Sequence, residues 1–186
     1  SKNHPKESVI EAIKSGVKRF GENKVQEAIS KFQDIRSTYP GLEIHLTGSL
    51  QTNKTKAALK IFDVFHTLDR EKLALEFVKF SQLLKNKSFF IQINTGLESN
   101  KGGIMPTNAD EYINYCIQDL NLPIIGLMCI PPVDDDPNKH FKLLWEIANR
   151  NNLQKLSIGM SNDYGDALKM NPTYIRLGTI LFGMRK

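Results

Sequence analysis

The alternation of two periodicities constrains this chain more than any single motif. Short runs rich in β-branched and aromatic residues fall at 17–20, 44–47, 64–68, 88–94, 124–128, 155–158 and 174–177. Stretches with helical spacing precede them, at 5–15, 24–35, 53–60, 70–84, 109–118 and 137–149, and one more follows the sixth run at 163–170. Units of this kind build a parallel sheet with right-handed crossovers. The seven runs leave a closed eight-stranded barrel one strand short, and the chain opens directly into a helix at Pro5. The expectation is therefore an α/β fold, a (β/α)8 TIM-type barrel whose first strand is truncated at the N-terminus. A typical barrel of this kind has about 250 residues, and this chain has 186. An open, doubly wound sheet of seven strands is the alternative.

Composition narrows the class further. At 40% hydrophobic and 24% charged residues, the 186-residue chain reads as one globular domain spanning 1–186. Its two cysteines, Cys116 and Cys129, form no Cys-x-x-Cys pair. That argues against a disulfide scaffold or a cysteine zinc site and fits a reducing, cytoplasmic setting. No apolar run reaches the roughly 20 residues of a membrane span, and no apolar leader follows Ser1. The net charge of +5 comes from lysines interspersed with acids, as on a solvated surface. Neither nucleic acid nor a membrane is expected as a partner.

In a barrel of this type the chemistry gathers at the C-terminal ends of the strands. Those ends read Phe20-Gly21-Glu22-Asn23, Thr47-Gly48-Ser49, Asn94-Thr95-Gly96, Met128-Cys129-Ile130-Pro131, Gly159-Met160-Ser161-Asn162 and Arg176-Leu177-Gly178-Thr179. Two of them suit an anion. Ser161 precedes a helix and is placed to cap it, leaving backbone N–H groups for a phosphate. Gly178 and Thr179 supply further N–H groups, a hydroxyl and room for close approach. Each also has a plain reading, as an N-cap and as a turn. Lys2 taken alone is a solvated terminal side chain. At the end of a first strand it would face the barrel mouth, where an amine can form a Schiff base with an aldehyde cofactor. Arg176, in an apolar strand, needs a partner, either a ligand or a neighbouring carboxylate. His45 reads as a packing residue. The Gly102-Gly103 pair reads as a loop, and 131–137 as a connection on the functional face.

Together these stretches resemble the pyridoxal phosphate homeostasis proteins, relatives of the N-terminal barrel domain of alanine racemase. The likeness runs from Ser1-Lys2 through Phe20-Gly21-Glu22-Asn23 and Thr47-Gly48-Ser49-Leu50-Gln51-Thr52-Asn53-Lys54 to Gln92-Ile93-Asn94-Thr95-Gly96. It continues with Gly126-Leu127-Met128-Cys129-Ile130-Pro131-Pro132, Ser157-Ile158-Gly159-Met160-Ser161-Asn162-Asp163 and Ile175-Arg176-Leu177-Gly178-Thr179. The resemblance implies pyridoxal 5'-phosphate (PLP) as cofactor, held as a Schiff base on Lys2. Ser161, Gly178 and Thr179 match its phosphate-binding positions. Arg176 matches the arginine that approaches the pyridine nitrogen and keeps it unprotonated. Asn23 matches a residue beside the phenolic oxygen, Met128 a pocket-lining residue, and Lys101 a lysine that attracts free PLP. The sequence departs from the family in lacking an upstream helix and full first strand, and in Ser49, where larger or basic residues are common. The implied role is a monomeric carrier or buffer of PLP that supplies PLP-dependent apoenzymes. Alternatives are a racemase-like PLP enzyme, although no β-rich second domain follows the last strand, and a barrel holding a sugar phosphate.

Overall fold

The computed structural model describes residues 1–183. Among these, seven strands form one sheet: β1 (Arg19–Glu22), β2 (Glu43–Leu46), β3 (Val64–Leu68), β4 (Ser88–Gln92), β5 (Ile124–Met128), β6 (Lys155–Met160) and β7 (Tyr174–Arg176). Every neighbouring pair is parallel, and the strand order is the chain order. A doubly wound sheet reverses its order at a switch point. This sheet does not, so it curls in one direction into a nearly closed barrel, with β1 and β7 as its two edges.

Helix α1 (Lys6–Lys14) precedes β1; α2 (Val25–Thr38), α3 (Thr55–Ile61), α4 (Glu71–Val78), α5 (Ala109–Asn114), α6 (Pro137–Arg150) and α7 (Tyr164–Leu168) connect the strands, and α8 (Thr179–Phe182) follows β7. The amphipathic spacing of α6 buries His140, Phe141, Leu144, Ile147 and Ala148 on one face. Asp136 caps that helix by accepting from the Asn138 N–H at 3.0 Å, and Pro137 stands in its first turn. Two expected helices are shorter than their patterns suggest. α4 gives way to a 3₁₀ turn at Ser81–Leu83, and α5 widens into a π-helical turn at Tyr115–Asp119. The four-residue α8 lies where only a turn was expected.

The first strand of the seven is the clearest displacement. The apolar pattern places it at 17–20, whereas Gly21 and Glu22 pair with His45 and Leu46. Glu22 is fully buried although charged, because its side chain points outward between the sheet and α2 and meets Lys31 there. Hydropathy alone cannot see such a pair.

Strand side chains alternate between two faces, and here the faces differ in character. The outward face, under the helices, carries Phe20, Ile44, Phe65, Phe89 and Leu127 in one large apolar core. The inward face carries a small cluster of Val64, Phe90 and Met128 with Tyr174 against it, and among these the polar His45, His66 and Ser157 are also buried. No helix among the described residues is long and apolar enough to cross a membrane.

Candidate functional site

The strand ends converge on one rim, and the candidate residues reach it in two groups. The first lies beside β1. The backbone nitrogen of Ser1 donates to the Gly21 carbonyl at 2.8 Å, which sets the start of the chain along the free edge of β1. The Ser1 hydroxyl donates to Glu22 Oε1 at 2.6 Å, and Lys31 Nζ donates to the Ser1 carbonyl, Glu22 and Glu27 at 2.7, 2.9 and 2.7 Å. Glu27 also accepts from the Asn3 N–H at 2.6 Å, and Asn3 takes a left-handed conformation, φ 62°. The residues flanking Lys2 are thus held on both sides. Lys2 itself is half-buried, and its ammonium makes no ion pair among the described residues. A terminal lysine is ordinarily solvated and mobile, and this ion network, formed between distant residues, is what a sequence does not display.

Asn23 follows β1 directly. Its Oδ1 accepts from the Thr47 hydroxyl at 2.9 Å. Gly48 makes this junction possible, because a Cβ there would lie 2.5 Å from the Asn23 carbonyl oxygen. The ends of β1 and β2 are pressed together around Asn23, and its amide N–H groups are left to donate elsewhere.

The second group stands on β6 and β7, whose register pairs Met160 with Arg176 and so brings Ser161 beside the segment entering Gly178. Ser161 does not cap a helix, contrary to the expectation from sequence. α7 begins at Tyr164 with Asp163 in the cap position. The Asp163 carboxylate turns back to accept from the Met160 N–H, and its own N–H donates to the Met160 carbonyl at 3.1 Å. That turn leaves the N–H groups of Ser161 and Asn162 out of its hydrogen bonds. It follows a bend at Gly159, φ +85°, where a Cβ would meet that of Ala167 at 2.6 Å. Gly178 precedes the first turn of α8, whose leading N–H groups have no helical acceptor. A Cβ built at Gly178 meets no atom within 4 Å, so packing alone does not demand glycine there. Thr179 is exposed beside it.

Arg176 closes the group from below. Nη1 donates to the carbonyl and hydroxyl of Ser157 at 2.9 and 2.7 Å, and Nη2 donates to the Cys129 carbonyl at 3.1 Å. No carboxylate pairs with it among the described residues, which removes the plain salt-bridge reading. Burial draws its pKa down, countered by Cys129 and Asp163, yet a guanidinium keeps its charge. A guanidinium has five N–H donors, so Nε and one Nη2 hydrogen remain for a ligand above it. Met128, fully buried at the end of β5, packs with Phe90 and Val64 as a floor to the rim. Lys101 pairs with Glu98 at 2.7 Å, within its own loop.

The two groups flank the opening between β1 and β7. A cavity of about 390 Å³ lies between α1 and α8, lined by Ser8, Glu11 and Ala12 of α1, Arg19 and Gly21 of β1, and Leu181 and Phe182 of α8; none of the seven candidates lines it. His4 stacks on Phe182, with centroids 4.9 Å apart. A larger cavity of about 660 Å³, between Asp69–Glu71 and α5, likewise contains none of the seven candidates. Its lining is largely polar, with Asp69, Arg70, Glu71, Glu111 and Asp119 among it. Among the described residues no cluster of histidine, cysteine or acidic side chains could hold a metal ion. Burial pushes both cysteine thiols up to about 12, so neither is a nucleophile at neutral pH.

Sequence reading missed three residues: Glu43, His66 and Ser157. His45 reads as packing in the sequence, but its Nδ1 lies 2.8 Å from His66 Nε2, and His66 Nδ1 lies 2.8 Å from Ser157 Oγ. The available signal was parity, since Glu-Ile-His in β2 and Val-Phe-His in β3 put both histidines on the same face of adjacent strands.

The fold and rim define a class, the parallel β/α barrels that gather polar groups where their strands end. Within that class the family model described as "Alanine racemase, N-terminal domain" matches residues 1–186. The "Pyridoxal phosphate homeostasis protein" of Aquifex aeolicus is 38% identical over 200 residues, covering 100% of this chain and 85% of that relative. The structure of PipY from Synechococcus elongatus with PLP bound superposes with a TM-score of 0.86 at 32% identity, covering 98% of this chain and 90% of that one. The alanine racemase of Acinetobacter baumannii shares the fold, with a TM-score of 0.76 at 16% identity over 98% of this chain and 54% of its own. The chain belongs to the family of pyridoxal phosphate homeostasis proteins, within the alanine racemase N-terminal-domain group.

Proposed function

We propose that this protein binds PLP at the rim, with Lys2 as the covalent anchor, and carries it to PLP-dependent apoenzymes. The observation that carries the reading is Arg176, a half-buried cation with no carboxylate partner among the described residues and with donors left over beneath a cluster of unengaged N–H groups. The space over Gly178 that a Cβ would enter suits a phosphate brought close to backbone N–H groups. Ser161, Gly178 and Thr179 would hold that phosphate. Ser1 spends its hydroxyl on Glu22 on the helix side. Lys2 follows in a turn that the His4 N–H closes on the Ser1 carbonyl at 3.1 Å, beside the end of β1.

PLP bound on an amine supplies an electron sink for carbanions next to nitrogen. Arg176 would donate toward the ring nitrogen and oppose its protonation, weakening that sink. Asn23 would donate through its amide to the phenolic oxygen, and Met128 would exclude water from beneath. These residues hold and protect a cofactor; the strongly acidic ring environment of a good catalyst is not among them. The two buried cysteines suit a cytoplasmic site of action, and we assign the protein there as a monomer.

Equilibrium dialysis against PLP, followed by transfer from the loaded protein to an apo-aminotransferase, tests the reading. The expected result is one PLP per chain and restored aminotransferase activity, with Arg176→Ala binding about tenfold more weakly, as loss of a charge-assisted hydrogen bond implies. Absence of binding by the wild-type protein would overturn it.

A further inference from the structure

A continuous file of hydrogen bonds runs through the barrel interior from the lower pole to Arg176. Glu43 Oε1 lies 2.7 Å from His45 Nε2, His45 Nδ1 lies 2.8 Å from His66 Nε2, His66 Nδ1 lies 2.8 Å from Ser157 Oγ, and Ser157 Oγ accepts from Arg176 Nη1 at 2.7 Å. The direction of the file is fixed from both ends. A carboxylate only accepts, so His45 carries its proton on Nε2 and its Nδ1 accepts. His66 must then donate through Nε2 and accept at Nδ1, which requires the Ser157 hydroxyl to donate to it. A guanidinium only donates, so Ser157 Oγ must accept from Arg176 and send its own hydrogen elsewhere. Both constraints give the same arrangement, with two neutral histidines of one tautomer between an anion and a cation.

We propose that Glu43, His45, His66 and Ser157 are positioning residues that orient the Arg176 guanidinium toward the rim. This rests on the reading that Arg176 faces the bound cofactor. Without His66 the Ser157 hydroxyl is free to turn, and Arg176 keeps only its two carbonyl acceptors, those of Ser157 and Cys129, as fixed partners. The file is walled by rings: His66 stacks on Phe90 at 4.8 Å, and Tyr174 meets His45 edge-on at 4.9 Å. The charged and titratable groups facing the two imidazoles are Glu43, Asp63, Arg19, Arg176 and Tyr174. Protonating His66 turns Nδ1 into a donor, so Ser157 Oγ would face donors on both sides and Arg176 a second cation. Acid therefore breaks the file at its middle.

Nitrogen NMR of the protein without PLP is the test, reading histidine tautomers and the Arg176 guanidinium, with the PLP absorption spectrum as a second readout. The wild type should show both imidazoles as neutral Nε2–H tautomers at pH 7.5 and separate, slowly exchanging Arg176 Nη signals. His66→Phe should merge those signals, weaken PLP binding about fivefold, as loss of one hydrogen bond implies, and move the visible band. His66→Gln, which can still donate and accept, should restore both. Unchanged Arg176 signals in a folded His66→Phe protein, or Nδ1–H tautomers in the wild type, would overturn the proposal. If the wild type fails to bind PLP, the functional reading falls, and the NMR arm still decides the file.

Discussion

The two faces of one sheet are built on opposite principles. Outside, Phe65 stacks on Phe89 at 4.9 Å and meets Phe77 edge-on at 5.1 Å, in a layer that is apolar except near Glu22 and Lys31. Inside, little more than Val64, Phe90 and Met128 is apolar, and the remaining space holds hydrogen-bonded groups that end at Arg176. The outer face holds the barrel together through area removed from water, a term indifferent to direction. The inner face stabilises less, because each buried polar group must offset its lost hydration, but it fixes orientations. Stability should therefore reside outside and binding inside, and substitutions can separate the two.

The largest effect is expected from Phe65→Ala. It should lower unfolding free energy by about 3–5 kcal/mol, measured by urea denaturation, while the folded fraction binds PLP as before. A binding defect in that folded fraction would blur the distinction. Lys31→Met comes next, at about 3 kcal/mol, because it leaves the Glu22 carboxylate buried without its cation. This variant also unties the Ser1 carbonyl, so slower borohydride trapping at the neighbouring amine should accompany the loss of stability.

Acid should act through the inner face. Burial lowers the pKa of His45, against the pull of Glu43, and holds that of His66 well below its usual value. The folded state then binds fewer protons than the unfolded chain. Their contribution is complete above about pH 6.5 and declines as the pH falls below it, by about 1.4 kcal/mol per pH unit for each histidine left neutral in the fold. Denaturation curves between pH 5 and 7 should show that slope, and His66→Phe should reduce it. The smallest stability effect belongs to Gly178→Ala, within about 0.5 kcal/mol because the new methyl meets nothing. Its PLP affinity should nonetheless fall, and equal affinity would remove Gly178 from the phosphate site.

The outer face was legible in the sequence because it obeys periodicity. The runs at 64–68 and 124–128 coincide with β3 and β5. The strand at Arg19–Glu22 was misplaced because Glu22 is buried by a specific partner, which no local pattern encodes. At the rim, Arg176 and Gly178 stood out through their strand-end position. The cap expected at Ser161 failed because Asp163 competes for that turn through the Met160 N–H. His66 and Ser157 stayed hidden because they are 91 residues apart and meet only across the closed interior.

Borohydride reduction of the protein with PLP, followed by peptide mapping, tests the central claim most directly. A single pyridoxyl group on Lys2, reduced in yield by Gly178→Ala and by Arg176→Ala, is the predicted result. A label confined to other lysines, or no label in a protein that has bound PLP, would contradict the placement of the cofactor at this rim.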